Sequence, residues 1–259
     1  MTEIITSLQN ANIKEIVKLY KSGRRKKGKL IIIEGYNEIE MAIRAGVEVK
    51  NLYFCNEYSK KPIFETVKSE KIINVSQEVF KKIAYREHPD GFLALAVPPE
   101  TILNTLILAK NNIIIIMEGV EKPGNLGAIL RTADAIGASA VILADPQTDM
   151  YNPNTIRTSR GTVFSNKVIE ETSENVQSWL KTYKFKTYAT TSDANKAYTE
   201  VDYSGNIAIL IGTEHNGLSE KWLKFAENKI KIPMLGKIKC LNVSVSAAVV
   251  LYEAIRQRK

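Results

Sequence analysis

Short apolar runs alternate with segments of helical apolar spacing along nearly the whole chain, and this alternation limits the fold more than any other feature. In the first hundred residues, 30–33, 47–55, 72–75 and 92–97 read as strands. Between them, 36–45, 63–68 and 77–84 read as helices, and an opening helix carries Ile13, Ile16, Val17 and Tyr20. Strands separated by helices imply a mostly parallel sheet with helices packed on it, an α/β fold. Pro98-Pro99 suits neither a central strand nor a helix and marks a boundary. The expected domains are 1–98 and 111–259, joined by a linker helix at 99–110.

The second block alternates more regularly. Residues 112–117 read as a buried parallel strand, by the unbroken apolar run that starts at Ile113. A helix at 126–136 follows, with Leu126, Ile129, Leu130, Ala133 and Ile136 on one face. Strands are expected at 140–143, 186–189, 207–211 and 230–232, a helix at 176–183, and a strongly apolar closing helix at 243–256.

Lys and Arg total 36 against 28 Asp and Glu, a net charge of +8, which suits a polyanionic partner. Six of the nine residues at 21–29 are basic, among them Arg24, Arg25, Lys26 and Lys27. That run is either a solvated loop or a phosphate-contacting one. The two cysteines, Cys55 and Cys240, stand in no CxxC or His-rich cluster, so no metal is expected. No apolar run approaches the ~20 residues needed to cross a bilayer, and no signal peptide opens the chain. A soluble cytoplasmic protein without membrane partners is expected.

Three strands of the second block lead into loops rich in Gly, Pro and Asn: 118–127, 212–218 and 233–242. Ligands of open α/β sheets bind beyond the carboxyl ends of strands, so three such loops from one sheet can line one pocket. A P-loop is excluded because GxxxxGK[ST] is missing, and no GxGxxG follows a strand. Nor is there a GxSxG elbow. A ligand without phosphate needs no glycine cradle, and S-adenosylmethionine is one.

The loop residues also carry a resemblance. Asn125-x-Gly127-x-x-x-Arg131-Thr132-Ala133, Gly212-x-Glu214-x-x-Gly217-Leu218, and Ile232-Pro233-Met234-x-Gly236 through Leu241-Asn242-Val243-Ser244 resemble, in order, the three motifs of the SpoU (TrmH-type) RNA ribose 2′-O-methyltransferases. The likeness covers essentially all of 111–259. The first hundred residues, including Glu34-Gly35, resemble the ribosomal-protein-like (L30e-like) RNA-binding domain that often precedes this catalytic domain. The resemblance implies a SPOUT fold whose C-terminal chain forms a deep trefoil knot, a homodimer with its active site at the subunit interface, and S-adenosylmethionine as cofactor.

It also implies methyl transfer to a ribose 2′-OH of ribosomal RNA, 23S above others, with resistance to ribosome-targeting antibiotics as one outcome in relatives of this layout. A tRNA 2′-O-methyltransferase and a non-catalytic rRNA-binding or ribosome-assembly protein are the alternatives. By the same resemblance Asn125, Arg131, Glu214 and Asn242 are catalytic, and Gly212, Ile232, Met234, Leu241 and Ser244 hold the cofactor. Asn125 and Asn242 can also simply cap the helices that follow them. A guanidinium with a pKa above ~12 is an awkward base, so Arg131 is expected to hold a phosphate or a developing alkoxide. Arg157 and Arg160 lie in a further family-like segment and can reach RNA phosphates. Cys240 stands where the family usually has Ser, a better hydrogen-bond donor.

Overall fold

The computed structural model describes residues 4–20 and 30–258, so the expectation for Arg24, Arg25, Lys26 and Lys27 lies outside the described residues. The chain divides into two compact units. One comprises residues up to Glu100 together with Asp149–Ser165, and the other comprises Thr101–Thr148 and the chain from Asn166 onward.

Among the described residues the first unit is built on five strands: β1 (Ile4–Ile5), β2 (Ile31–Glu34), β3 (Val49–Phe54), β4 (Ile72–Val75) and β5 (Phe92–Ala96). Their order is β1-β4-β3-β5-β2. Only the β1–β4 and β3–β4 pairs are parallel; β5 runs antiparallel to both β3 and β2. The sheet is therefore mixed and not mostly parallel as the alternation implies. Helices α1 (Ala11–Leu19) and α3 (Gln77–Ile83) bury Ile13, Ile16, Val79, Phe80 and Ile83 against Ile32, Tyr53 and Leu93. Between β2 and α2 (Tyr36–Arg44), Gly35 takes φ +107°, and a Cβ there would strike the Glu38 and Arg86 side chains. Those two form a partly buried ion pair of 2.8 Å.

The helix expected at 63–68 is not formed. Phe64 instead stacks on Tyr36 with ring centroids 4.4 Å apart, and its burial fixes the segment as an irregular turn. Residues 149–165 differ from the expected contiguous boundary of 111–259. They form α5 (Pro153–Thr158) and α6 (Thr162–Ser165) and group with the first unit, where Ile156, Val163 and Phe164 are buried. The intervening Gly161, at φ +82°, lies so close to Met41 and the Glu38 backbone that a Cβ there would come within 2.9 Å of the Met41 side chain.

The second unit holds β6 (Ile113–Glu118), β7 (Ala140–Ala144), β8 (Val168–Glu171), β9 (Lys186–Thr190), β10 (Lys196–Ala197), β11 (Ile207–Ile211) and β12 (Asn228–Lys231). All six pairings of the sheet, ordered β10-β12-β9-β11-β6-β7-β8, are parallel. Four helices accompany them: α4 (Pro123–Ile136), α7 (Ser173–Thr182), α8 (Glu220–Phe225) and α9 (Val243–Arg256). Ile114, Ile116, Ile142 and Leu210 form a core with Trp179, Leu180 and Trp222 of α7 and α8. The Trp222 indole donates to Ser173 Oγ, which donates in turn to Asp145. Helix α9 packs on α4.

The linker helix expected at 99–110 is only a 3-10 turn at Leu103–Thr105. Leu103, Leu106 and Leu108 are the residues that pack on the core, a spacing of three then two that no helix presents on one face. No helix is long and apolar enough to cross a membrane among the described residues.

Candidate active site at the carboxyl edge of the parallel sheet

Because every strand of the second sheet runs the same way, the loops after β6, β11 and β12 leave from one edge. β6 and β11 are direct neighbours, with Met117 opposite Ile211, and β12 follows one strand beyond β9. The first loop feeds α4, whose N-cap is Lys122 with Pro123 inside the first turn. Asn125 is thus not the cap. Its amide is turned instead to the other two loops.

The second loop is closed on itself. Thr213 and Gly217 exchange backbone hydrogen bonds of 3.0 and 3.1 Å, and Gly217 takes φ +67°. Gly212 lies against this closure so tightly that a Cβ would sit 2.0 Å from the Gly217 carbonyl carbon. Only glycine fits. Glu118, at the end of β6, accepts the Ser219 N–H at 2.7 Å and ties the first loop to the second. Sequence reasoning missed Glu118; its signal was a lone carboxylate closing an apolar strand.

The third loop ends in Asn242, which caps α9 as expected by accepting the Ser244 N–H at 2.9 Å. The Ser244 hydroxyl donates to the same oxygen at 2.6 Å. Asn242 Nδ2 donates to Asn125 Oδ1 at 3.2 Å, and Asn125 Nδ2 donates to Glu214 Oε1. The other Glu214 oxygen is buried without a partner among the described residues. The structure therefore brings together Asn125, Glu214, Asn242 and Ser244, one or more from each motif.

Arg131 is not part of this cluster. It is exposed and has no side-chain hydrogen bond or ion pair among the described residues. Six helical positions separate it from Asn125, which puts it roughly 120° around α4 and about 9 Å along it. Gly212 and Ile232 follow the last residues of β11 and β12, and Ile232, Met234 and Leu241 are half-buried. Cys240 is exposed. Arg157 and Arg160 belong to the first unit and are exposed, with Arg157 donating to Asn154 at 2.8 Å. Among the described residues no group of three His, Cys, Asp or Glu could hold a metal ion.

The arrangement suits a neutral-nucleophile reaction that needs positioning. It offers a fixed carboxylate, two oriented amides, a close backbone approach that glycine enforces and, on the adjoining helix, a cation with no partner among the described residues. Gly212, whose Cβ-less backbone leaves no side chain over the second loop, and the half-buried Ile232, Met234 and Leu241 fit a ligand held by main-chain groups and apolar contact. S-adenosylmethionine is such a ligand, with an adenine for the apolar residues and no phosphate to neutralise.

Comparison with known proteins identifies the family and the fold. Residues 112–252 match the SpoU rRNA Methylase family, and residues 10–94 match the MRM3-like substrate binding domain. The chain is 29% identical over 248 residues to the 23S rRNA (guanosine(2553)-2′-O)-methyltransferase RlmP of Bacillus subtilis (strain 168), covering 96% of this chain and 97% of that protein. A crystal structure of an RNA 2′-O ribose methyltransferase is 38% identical, covers 99% of both chains and superposes with a TM-score of 0.85. The AdoMet-bound rRNA methyltransferase of Sinorhizobium meliloti is 26% identical, covers 98% of both chains and gives a TM-score of 0.90.

Proposed function

Since the chain belongs to the SpoU rRNA methylase family, we propose that it transfers a methyl group from S-adenosylmethionine to a ribose 2′-OH of ribosomal RNA, with 23S RNA as the target. The observation that carries this reading is the joining of the three motif loops through Asn125, Glu214 and Asn242 at the sheet edge. Full-length similarity to the B. subtilis 23S enzyme supports the choice of RNA.

When bound, S-adenosylmethionine supplies an electrophilic methyl group. Gly212, Ile232, Met234 and Leu241 would hold it. The ribose hydroxyl is a weak nucleophile, so the protein's task is to align it and stabilise the charge that develops as its proton leaves. Arg131 serves this by holding the neighbouring phosphate and the nascent alkoxide through its planar fork of N–H donors. Asn125, Glu214 and Asn242 fix the loops that face the reacting atoms.

The second unit takes the SPOUT fold, its C-terminal chain tucked through a loop as a deep trefoil knot; the all-parallel sheet and the packing of α9 on α4 are consistent with it. The enzyme works as a cytoplasmic homodimer. Val245 and Tyr252 lie seven residues apart on α9 and are 48% and 53% exposed, and Leu235 in the third loop is 99% exposed, which leaves apolar surface for a second copy to cover. A second copy would also bring an Arg131 to a cluster that its own chain's arginine does not join. The first unit, an L30e-like domain, binds the RNA with help from residues 21–29, Arg157 and Arg160.

Purified protein should incorporate labelled methyl groups from S-adenosylmethionine into 23S rRNA, at a site that resists nuclease and stops reverse transcription. Methylation of tRNA alone would overturn the target. No incorporation into any RNA would overturn the function.

A further inference from the structure

The four side chains at the sheet edge form a chain of one polarity. Asn242 Oδ1 accepts the Ser244 backbone N–H, and a backbone N–H can only donate. That atom is therefore oxygen, and the Ser244 hydroxyl that meets it at 2.6 Å must donate as well. Asn242 then presents Nδ2 to Asn125, which must answer with Oδ1 at 3.2 Å. Asn125 is left with Nδ2 facing Glu214, and a carboxylate accepts. The helix terminus and the carboxylate dictate the same direction from opposite ends, so neither amide can flip without facing like against like. The vulnerable member is Asn242, which is exposed and makes the longest bond of the chain. Its oxygen is held by two donors, and both belong to Ser244.

We propose that Ser244 is a positioning residue for methyl transfer: its hydroxyl locks the Asn242 amide, and through Asn125 it holds the Glu214 carboxylate, without touching the cofactor. The inference rests on the reading of this site as a methyltransferase centre. Hydrogen bonds in such chains polarise one another, so removing the first weakens the bonds downstream. Water then competes for the freed Asn242 amide. The two-donor grip is lost in Ser244→Ala and kept in Ser244→Thr. Asn242→Asp keeps the cap of α9, because a carboxylate accepts both Ser244 donors, but it has no Nδ2 for Asn125.

The test uses the full-length protein. Ser244→Ala should lower kcat by about five- to tenfold, the size of one lost neutral hydrogen bond. KM for rRNA and the affinity for S-adenosylhomocysteine should stay within twofold. The side-chain amide resonances of both Asn242 and Asn125 should move in its NMR spectrum. Ser244→Thr should restore kcat and the resonances, and Asn242→Asp should lose at least as much rate as Ser244→Ala with its melting temperature kept. In an Asn125→Ala background, adding Ser244→Ala should cost less than twofold further, because the path is already cut. A tenfold fall in cofactor affinity would make Ser244 a cofactor contact and overturn the proposal. So would an unchanged kcat, or equal effects in both backgrounds. If the wild type methylates no RNA, the functional reading fails, and the amide resonances still decide whether the chain exists.

Discussion

Replacing Gly212 with Ala tests whether the second loop is held by backbone contact. The added Cβ would lie 2.0 Å from the Gly217 carbonyl carbon, 2.2 Å from its oxygen and 2.2 Å from the Leu218 nitrogen. Ordinary contact begins at 3.4 Å, so Gly217 must retreat by more than an ångström. All three atoms are main chain and cannot rotate away. The retreat breaks the two Thr213–Gly217 hydrogen bonds. Overpacking costs about 1–3 kcal/mol, and each lost bond costs about 1 kcal/mol more. The loop can release locally instead of unfolding the whole unit, so the fall in global stability should not exceed about 5 kcal/mol, the upper end of that sum. Displacement on this scale in a catalytic loop is enough to lower the rate by about 10²-fold. Urea unfolding followed by fluorescence of the buried Trp222, in the helix this loop feeds, measures the first effect. Calorimetric titration with S-adenosylhomocysteine and methyl incorporation measure the others. Gly124→Ala and Gly236→Ala are the controls, since a Cβ at either meets nothing within 4 Å. Gly124 lies inside α4, where Ala should raise stability by up to ~1 kcal/mol. If Gly212→Ala matches the controls in stability, cofactor affinity and rate, the close-approach argument is wrong.

Arg131→Ala should lower methyl transfer by roughly 10²–10³-fold while cofactor affinity and melting temperature hold, and Lys should rescue poorly for want of a planar fork; an active Ala variant would return Arg131 to the ordinary surface. Arg258 donates to the main-chain oxygens of Tyr203, Gly205, Asn111 and Asn112, so Arg258→Ala should lower unfolding free energy by about 2–3 kcal/mol in a chemical denaturation series. Hydrogen bonds from Arg256 and then Gln257 hold the Glu253 carboxyl down at about 2. The stability this adds is full above the ordinary carboxylate range near 4.5 and disappears as pH falls through about 2, so Glu253→Gln should flatten acid unfolding across that interval. Neutralising Arg24, Arg25, Lys26 and Lys27 together should reduce the slope of log K against log salt for RNA by ~0.7–0.9 per lost phosphate contact, with cofactor affinity unchanged; an identical slope would mark the run as a solvated loop.

How much was legible in the sequence depended on whether a residue's fate was decided by its neighbours in the chain. The strand at 207–211 and the helix Val243–Arg256 were readable because an unbroken apolar run or a helical stripe has few ways to bury itself. Asn242 as the cap of α9 was readable for the same reason: the helix it serves begins at the next residue. The segment at 63–68 had helical spacing too, yet Phe64 found Tyr36 and Phe92, residues far off in sequence, and their packing outweighed a six-residue helical preference. Residues 149–165 are the larger case. Their buried Ile156, Val163 and Phe164 group with a unit whose sheet is formed more than fifty residues earlier, and no local pattern could have signalled that.

The site divides along the same line. Each motif loop was visible on its own as glycine and asparagine after a strand, and the family resemblance named its residues. What neither supplied was the pairing. Asn125 had a plausible local partner in its own helix, but Lys122 takes the cap and the Asn125 amide spans to Glu214 and Asn242, 89 and 117 positions away. The resemblance assigns Ser244 to the cofactor, and it carries no sign that the Ser244 hydroxyl donates to a side chain two residues before it. A polar group in such a site has several chemically acceptable partners, and the sheet register selects among them. Because β6 and β11 are adjacent and parallel with Met117 opposite Ile211, the first two loops start level with one another. A register shift of one residue would turn the strand ends to opposite faces and carry Asn125 away from Glu214. The chemistry of this site is therefore set by the buried apolar residues of β6 and β11 as firmly as by the polar residues that perform it.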